Sequence, residues 1–244
     1  MEKSLSIIIP CYNEQKCILP LFKKIEQLIS LDNSLEIIIV DNGSVDDSSF
    51  IIKDHNLYKQ NKIKLITIKK NIGYGHGVME GLKTSTSNYV SWCHSDLEID
   101  PLFNLSAFKE NKINLDNEKC IIKGYRIARP ILDILFTFGM SIFASLVFKT
   151  KLRDVNAQPK IFRKEFLKLI KTPPIDFSFD LYALVIAKYN NYKIINYPVL
   201  VKKRIAGLAK GGGGSLFNKI KLAIKTVKYI FKLKKQLKSL SINF

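Results

Sequence analysis

The sequence predicts a doubly wound, Rossmann-like α/β domain, and three observations carry that prediction. Two near-continuous apolar runs, residues 5–10 and 35–40, are separated by a helical stretch, and such runs mark parallel strands covered on both faces. A third β-prone run at 63–68 leads into a glycine-dense loop that opens a helix. A fourth, at 88–92, is followed within two residues by the polar triplet His94-Ser95-Asp96. Ligands in open α/β sheets bind beyond the carboxyl ends of strands, so this triplet is the first candidate for chemistry.

Residues 5–10 read as a buried strand stopped by Pro10, and Cys11-Tyr12-Asn13-Glu14 as the loop into a helix over 16–31. After the strand at 35–40, Asp41-Asn42-Gly43-Ser44 makes a tight turn and Asp46 or Asp47 begins the next helix. The loop Asn71-Ile72-Gly73-Tyr74-Gly75-His76-Gly77 has neither dinucleotide-fold nor P-loop spacing. Its glycines let backbone approach a ligand or pack closely on the sheet, ahead of a helix over 78–84.

Residues 130–148 are the most apolar stretch, yet Asp133 lies inside it, Pro130 and Gly139 interrupt it, and both ends are basic. A core or interfacial helix is expected there rather than a bilayer span. Over 216–240, Ile220, Ile224, Val227, Phe231 and Leu237 form one helical stripe and lysines cover much of the rest. That pattern predicts a basic amphipathic helix lying on a membrane surface, with Gly211 to Gly214 as a hinge or phosphate-facing loop. The expected domain division is 1–210, including the apolar segment, and 211–244.

Composition agrees with one large α/β domain, since 47% of the 244 residues are apolar. Net charge is +18, and because no Asp or Glu follows Asp180 while 202–244 carry 12 Lys or Arg, only +6 belongs to the first 201 residues. A basic tail on a near-ordinary domain suggests an anionic surface. No nucleic-acid recognition motif accompanies it, so the expected partner is a membrane leaflet. Cys11, Cys17, Cys93 and Cys120 lack zinc-site spacing and residues 1–6 lack a signal-peptide core. Free, buried thiols in a reducing cytosol follow, and no His and carboxylate partner can be assigned to make either Cys11 or Cys93 a nucleophile.

In order, Ile7-Ile8-Ile9-Pro10-Cys11-Tyr12-Asn13-Glu14, Val40-Asp41-Asn42-Gly43-Ser44-x-Asp46, Asn71-x-Gly73-x-Gly75, His94-Ser95-Asp96 and Arg204-x-x-Gly207-x-x-Lys210 resemble the motifs of family 2 glycosyltransferases of the GT-A fold, over nearly the whole chain. The resemblance implies a mixed, mostly parallel sheet flanked by helices. It implies a nucleoside diphosphate-sugar site built from Pro10, Tyr12, Glu14, Asp41, Gly43, Asn71, Gly73 and Ser95. Asp96 would hold Mn²⁺ or Mg²⁺ against the diphosphate, as a carboxylate beyond a strand end can. His94 stands where the family has an acidic residue, and it ligates the metal, bonds the donor sugar or packs.

Arg126, Arg204 and Lys210 would neutralise phosphate, and Asp154 and Gln158 would lie by the reacting sugar. The later segments, around 123–129, 154–160 and 176–180, are similar to those of polyprenyl-phosphate sugar synthases, implying an inverting transfer to a lipid phosphate on the cytoplasmic face of the membrane. An acceptor phosphate needs no base, whereas a sugar hydroxyl would need a carboxylate such as Asp154. A soluble or glycan hydroxyl acceptor is the alternative, followed by a non-catalytic basic membrane-binding module.

Overall fold

The computed structural model describes residues 3–128, 131–205 and 216–239. Seven strands, β1 (Ser6–Cys11), β2 (Glu36–Asp41), β3 (Lys64–Thr67), β4 (Tyr89–Trp92), β5 (Cys120–Ile127), β6 (Lys160–Arg163) and β7 (Lys193–Leu200), form one sheet in the order β3-β2-β1-β4-β6-β5-β7. Only β6 runs antiparallel to its neighbours. The chain winds outward from β1 through β2 to β3, then returns to place β4 on the other side of β1. That reversal opens a crevice at the carboxyl ends of β1 and β4.

The apolar runs at β1 and β2 are continuous because both faces are covered. Ile7, Ile9, Ile37 and Ile39 enter a layer with α1 (Gln15–Leu31), α2 (Ser48–Asp54) and α5 (Leu102–Glu110). Ile8, Ile38 and Val40 enter the opposite layer with α4 (Tyr74–Thr84), α7 (Ile131–Val147), α8 (Phe179–Tyr189) and α9 (Leu216–Ser239). The strand's two-residue period divides the isoleucines between the layers, and each fully buried one contributes roughly 1.5–3 kcal/mol.

Three boundaries differ from expectation. β1 does not stop at Pro10: the Ile8 carbonyl accepts from Cys93 N–H and the Cys11 carbonyl from Asn42 N–H. Alternation therefore points Pro10 toward the side where β4 has already ended at Trp92, and no ladder donor is missed there. Helix α4 starts at Tyr74, not at 78. Gly73, at φ +142, turns the chain into it, and a Cβ there would collide with the Ile175 carbonyl, so Gly75 and Gly77 fall inside the first helical turns as packing residues.

The third difference is in α9. Its buried side is Ile230, Leu233 and Leu237, packed in the same core layer as α7 and α8. Of the predicted stripe only Leu237 is fully buried, while Ile220, Ile224 and Phe231 are 45%, 52% and 56% exposed. The 131–147 segment is helical as expected, and no helix among the described residues is long and apolar enough to cross a membrane. Along α7, Ile134, Phe138, Ile142 and Leu146 recur every fourth residue and are all exposed. Phe143 and Phe231 meet edge to face at 5.8 Å, so α7 and α9 lie side by side. Pro130, the Asp133 side chain, Gly207, Lys210 and the Gly211 to Gly214 run lie outside the described residues.

Candidate active site

The crevice between β1 and β4 holds a cavity of about 410 Å³. The end of β1 and the loop after it supply Pro10, Tyr12 and Glu14, the loop before α4 supplies Asn71 and Gly73, and the loop after β4 supplies His94, Ser95 and Asp96. Arg126 and Arg204 complete the charged lining. These ten residues, brought together from five segments, include most of the nucleotide and metal residues expected from the sequence.

The first loop is locked to the turn after β2. Asn13 N–H donates to Ser44 Oγ (3.0 Å), Glu14 N–H to Ser48 Oγ (2.9 Å) and Gln15 N–H to Asp46 Oδ2 (3.2 Å). Asp46 thus satisfies an orphan donor at the start of α1 as well as Ser48 N–H on α2. Asp41 is buried and accepts from Ser44 N–H at 2.9 Å, while Gly43 sits at φ +76 with the Asn71 backbone where a Cβ would be. Neither lines the cavity; both shape the turn behind it.

Arg204 reaches the cavity because the chain after β7 pairs with the loop after β4, through an Ile99–Val201 bridge and a 2.7 Å bond from Lys202 N–H to the Glu98 carbonyl. Its guanidinium spans two acids, with Nη2 2.7 Å from Glu14 Oε1 and Nη1 3.4 Å from Asp96 Oδ2. Asp96 Oδ1 accepts from Glu98 N–H at 3.2 Å, so this carboxylate caps its turn and faces the cavity together. Burial, and then the nearby Asp96 charge, push the Glu98 carboxyl above its ordinary value.

Among the described residues no three His, Cys, Asp or Glu side chains gather into a metal cage. The cavity-facing carboxylate of Asp96, whose present partner Arg204 is itself a cation, nevertheless fits a divalent ion that would take its remaining ligands from phosphate and water. The His94 ring stacks on Tyr74 at 5.1 Å while lining the cavity, and Tyr74 stacks in turn on Phe177 at 4.9 Å.

Asp154 is elsewhere. It is buried and clamped by Arg126, with Nε 3.0 Å and Nη2 2.5 Å from Oδ1. Burial alone would raise the Asp154 carboxyl, but the Arg126 bonds hold it below the usual carboxylate range. It lines a second cavity, of about 530 Å³, whose other wall is Ile134, Phe138, Ile142 and Leu146 of α7 and whose rim carries Lys151 and Arg153. Arg126 is common to both cavities.

Gln158 is fully buried beneath the first cavity, donating to Asp180 Oδ1 (3.0 Å) and the Tyr74 hydroxyl (3.2 Å), with its own Oε1 unpaired. Lys160 pairs with Asp180 at 2.5 Å, both side chains almost wholly buried, with Asp180 reaching the cavity wall. Tyr74, Phe177, Glu98 and Lys160 are not among the site residues the sequence points to; a lysine opening a strand that also ends in an arginine gives no sign that it will be buried. All four cysteines are buried thiols outside any disulfide. Burial pushes Cys17 to about 11 and Cys93 to about 12, which leaves no thiolate near neutral pH.

Residues 6–110 match the family model for glycosyl transferase family 2. A dolichol-phosphate mannosyltransferase from Pyrococcus furiosus is 25% identical over 231 residues, covering 92% of this chain and 64% of that protein, so the chain spans under two thirds of this relative's length. Glucosyl-3-phosphoglycerate synthase from Mycobacterium tuberculosis, solved with Mn²⁺, UDP-glucose and phosphoglyceric acid, superposes with a TM-score of 0.71 at 14% identity, over 96% of this chain and 80% of that one. A mannosyltransferase from Pyrobaculum calidifontis, solved with GDP-mannose and Mn²⁺, gives 0.62 at 17% identity, over 84% and 58%. The architecture is therefore the expected GT-A fold.

Proposed function

We propose, from a chain whose residues 6–110 match the glycosyl transferase family 2 model, an inverting glycosyltransferase that moves a sugar from a nucleoside diphosphate donor to a lipid phosphate, most simply a polyprenyl phosphate, at a membrane surface. The observation that carries this is the gathering of Tyr12, Glu14, Asp96 and Arg204 in one cavity at the topological switch point. Pro10, Tyr12 and Asn71 would enclose the base and ribose, with Asp41 and Gly43 supporting that wall from behind. Asp96 would hold Mn²⁺ or Mg²⁺, which when bound would supply neutralisation of the charge that builds on the leaving diphosphate.

Arg204 now neutralises Glu14 and Asp96. On donor binding it would exchange these carboxylates for phosphate oxygens, where a guanidinium binds in bidentate fashion. Lys210 is proposed to join it. Arg126, at the junction of the two cavities, would meet the acceptor phosphate, and Asp154 would hold the guanidinium in place. A carboxylate so firmly paired is a poor proton acceptor, which favours an acceptor that arrives as an anion. The groove along α7 is apolar where an isoprenoid chain would lie and basic where a phosphate would lie.

The mannosyltransferase of Pyrococcus furiosus is named for a dolichol-phosphate acceptor, in agreement with this choice. The exposed stripes on α7 and α9, flanked by Lys221, Lys225, Lys228 and Lys232, would rest on an anionic, cytoplasm-facing leaflet. The test is release of nucleoside diphosphate from a panel of UDP- and GDP-sugars with Mn²⁺ or Mg²⁺. Release should rise when polyprenyl phosphate in vesicles is added. Release with 3-phosphoglycerate or a glycan instead, and none with lipid, would replace the acceptor; no release with any donor would remove the enzymatic assignment.

A further inference from the structure

Asp180, in the first turn of α8, is 1% exposed and still lines the donor cavity. Three donors converge on one of its oxygens. Lys160 Nζ lies 2.5 Å, Gln158 Nε2 3.0 Å and Trp92 Nε1 3.2 Å from Oδ1. No donor among the described residues bonds Oδ2. Lys160, Gln158 and Trp92 are themselves fully buried, so the carboxylate is fixed from behind and cannot turn its second oxygen toward them without breaking these bonds.

An ionised oxygen in such surroundings is costly unless something donates to it. Three other acids of the two cavities are covered by arginine: Arg204 lies on Glu14 and Asp96, and Arg126 holds both oxygens of Asp154, while Glu98, also in the lining, is only half-buried. Unlike those three, Asp180 presents an oxygen that nothing in the described protein covers. The wall beside it is aromatic, since Tyr74 stacks between His94 and Phe177. Burial, and then the Asp180 charge, hold the Tyr74 phenol in its neutral form.

A rigid acceptor beside a ring-lined wall suits a pyranose, which offers hydroxyls at its edge and C–H groups on its face. It does not suit a further cation, because Lys160 already supplies the positive charge. We propose that Asp180 Oδ2 receives a hydrogen bond from a ring hydroxyl of the donor sugar, making Asp180 the residue that selects donors carrying that hydroxyl. Gln158, Trp92 and Lys160 are then positioning residues. This assignment rests on the donor-site reading given under the proposed function.

The test compares binding of a nucleoside diphosphate with binding of the same nucleotide carrying its sugar, by calorimetry with Mn²⁺, using UDP with UDP-glucose and GDP with GDP-mannose. Asp180→Asn removes the acceptor but strands Lys160, so the Lys160→Met/Asp180→Asn pair is measured beside it, with near-ultraviolet circular dichroism to confirm packing. In the wild type the sugar should tighten binding. In either folded variant that gain should fall by about tenfold or more, the range for a bond to a charged group, while affinity for the bare nucleotide is kept.

Wild-type enzyme should also discriminate against a deoxy-sugar donor lacking one ring hydroxyl, and the variants should not. An undiminished sugar gain would overturn the proposal, including the case where only kcat drops, because Asp180 would then act on the acceptor. Absence of binding by any nucleotide to wild-type protein would instead remove the donor site itself, and the proposal with it.

Discussion

The two halves of the sheet differ in what they leave open. In residues 6–110, β1 and β2 are buried along their whole length and the half offers chemistry only at strand ends, through Tyr12, Glu14, His94 and Asp96. Residues 120–239 bury two charge pairs, Lys160 with Asp180 and Arg126 with Asp154, and leave apolar rows on α7 and α9 in solvent. A half whose cavity is lined by carboxylates, and whose exposed apolar side chains such as Val45 and Phe50 are scattered, is fitted to a charged, water-borne ligand. A half that sets rows of isoleucine and phenylalanine among exposed lysines is fitted to an apolar chain with an anionic head. On the proposed function the donor belongs to the first and the lipid to the second, and the halves meet at β4 and β6 and through Arg204.

The pairing across that seam sets the largest expected effect. Lys160→Met leaves Asp180 buried with its charge unpaired, and about 3–5 kcal/mol of stability should be lost in urea unfolding. A loss under about 1 kcal/mol would mean that water reaches the pair and the seam is not sealed. Next is Asp96→Ala, which should lower turnover about a hundredfold or more. If the donor half serves every acceptor, the loss is equal for polyprenyl phosphate in vesicles and for a short, water-soluble acceptor. A loss confined to one acceptor would break the division of labour.

Ile224→Glu combined with Phe231→Glu probes the other half. Binding to vesicles containing anionic lipid should weaken about tenfold or more, since each substitution removes an exposed apolar side chain from the proposed contact. Nucleoside diphosphate affinity should be unchanged. Equal vesicle binding by the variant would take α9 out of the membrane contact and leave α7 alone.

The smallest effect is a pH dependence. Burial pushes Lys123 down to about 7, whereas the unfolded chain holds that proton to above pH 10. The unfolded state therefore binds more protons between these values, and stability rises with pH, by up to ~1 kcal/mol from pH 7 to 8. Below about 7 both states are protonated and the dependence fades. Above 8 the thiols intervene with the opposite sign, because Cys17 and Cys93 are raised in the folded protein. Lys123→Met should flatten the curve between 7 and 8; an unchanged slope would assign it to other groups.

Local pattern and short motifs determined a large part of this protein by themselves. Four strands, the helix over 131–147, the loops around Tyr12, Asn71 and Asp96, and the basic character of the last helix follow from periodicity, turn chemistry and charge, all of which act over a few residues. Tertiary structure alone decided which groups would face which. Asp154 and Arg126 lie 28 residues apart and neutralise each other, Arg204 reaches Glu14 across 190, and Lys160 is sealed against Asp180. The stripe on α9 was visible as a pattern, but which of its sides would be buried depended on where α7 and α8 had already placed their own apolar rows. Ion pairing and burial depend on distance in space, and nothing in the spacing along a chain encodes the cation that will stand opposite a given carboxylate.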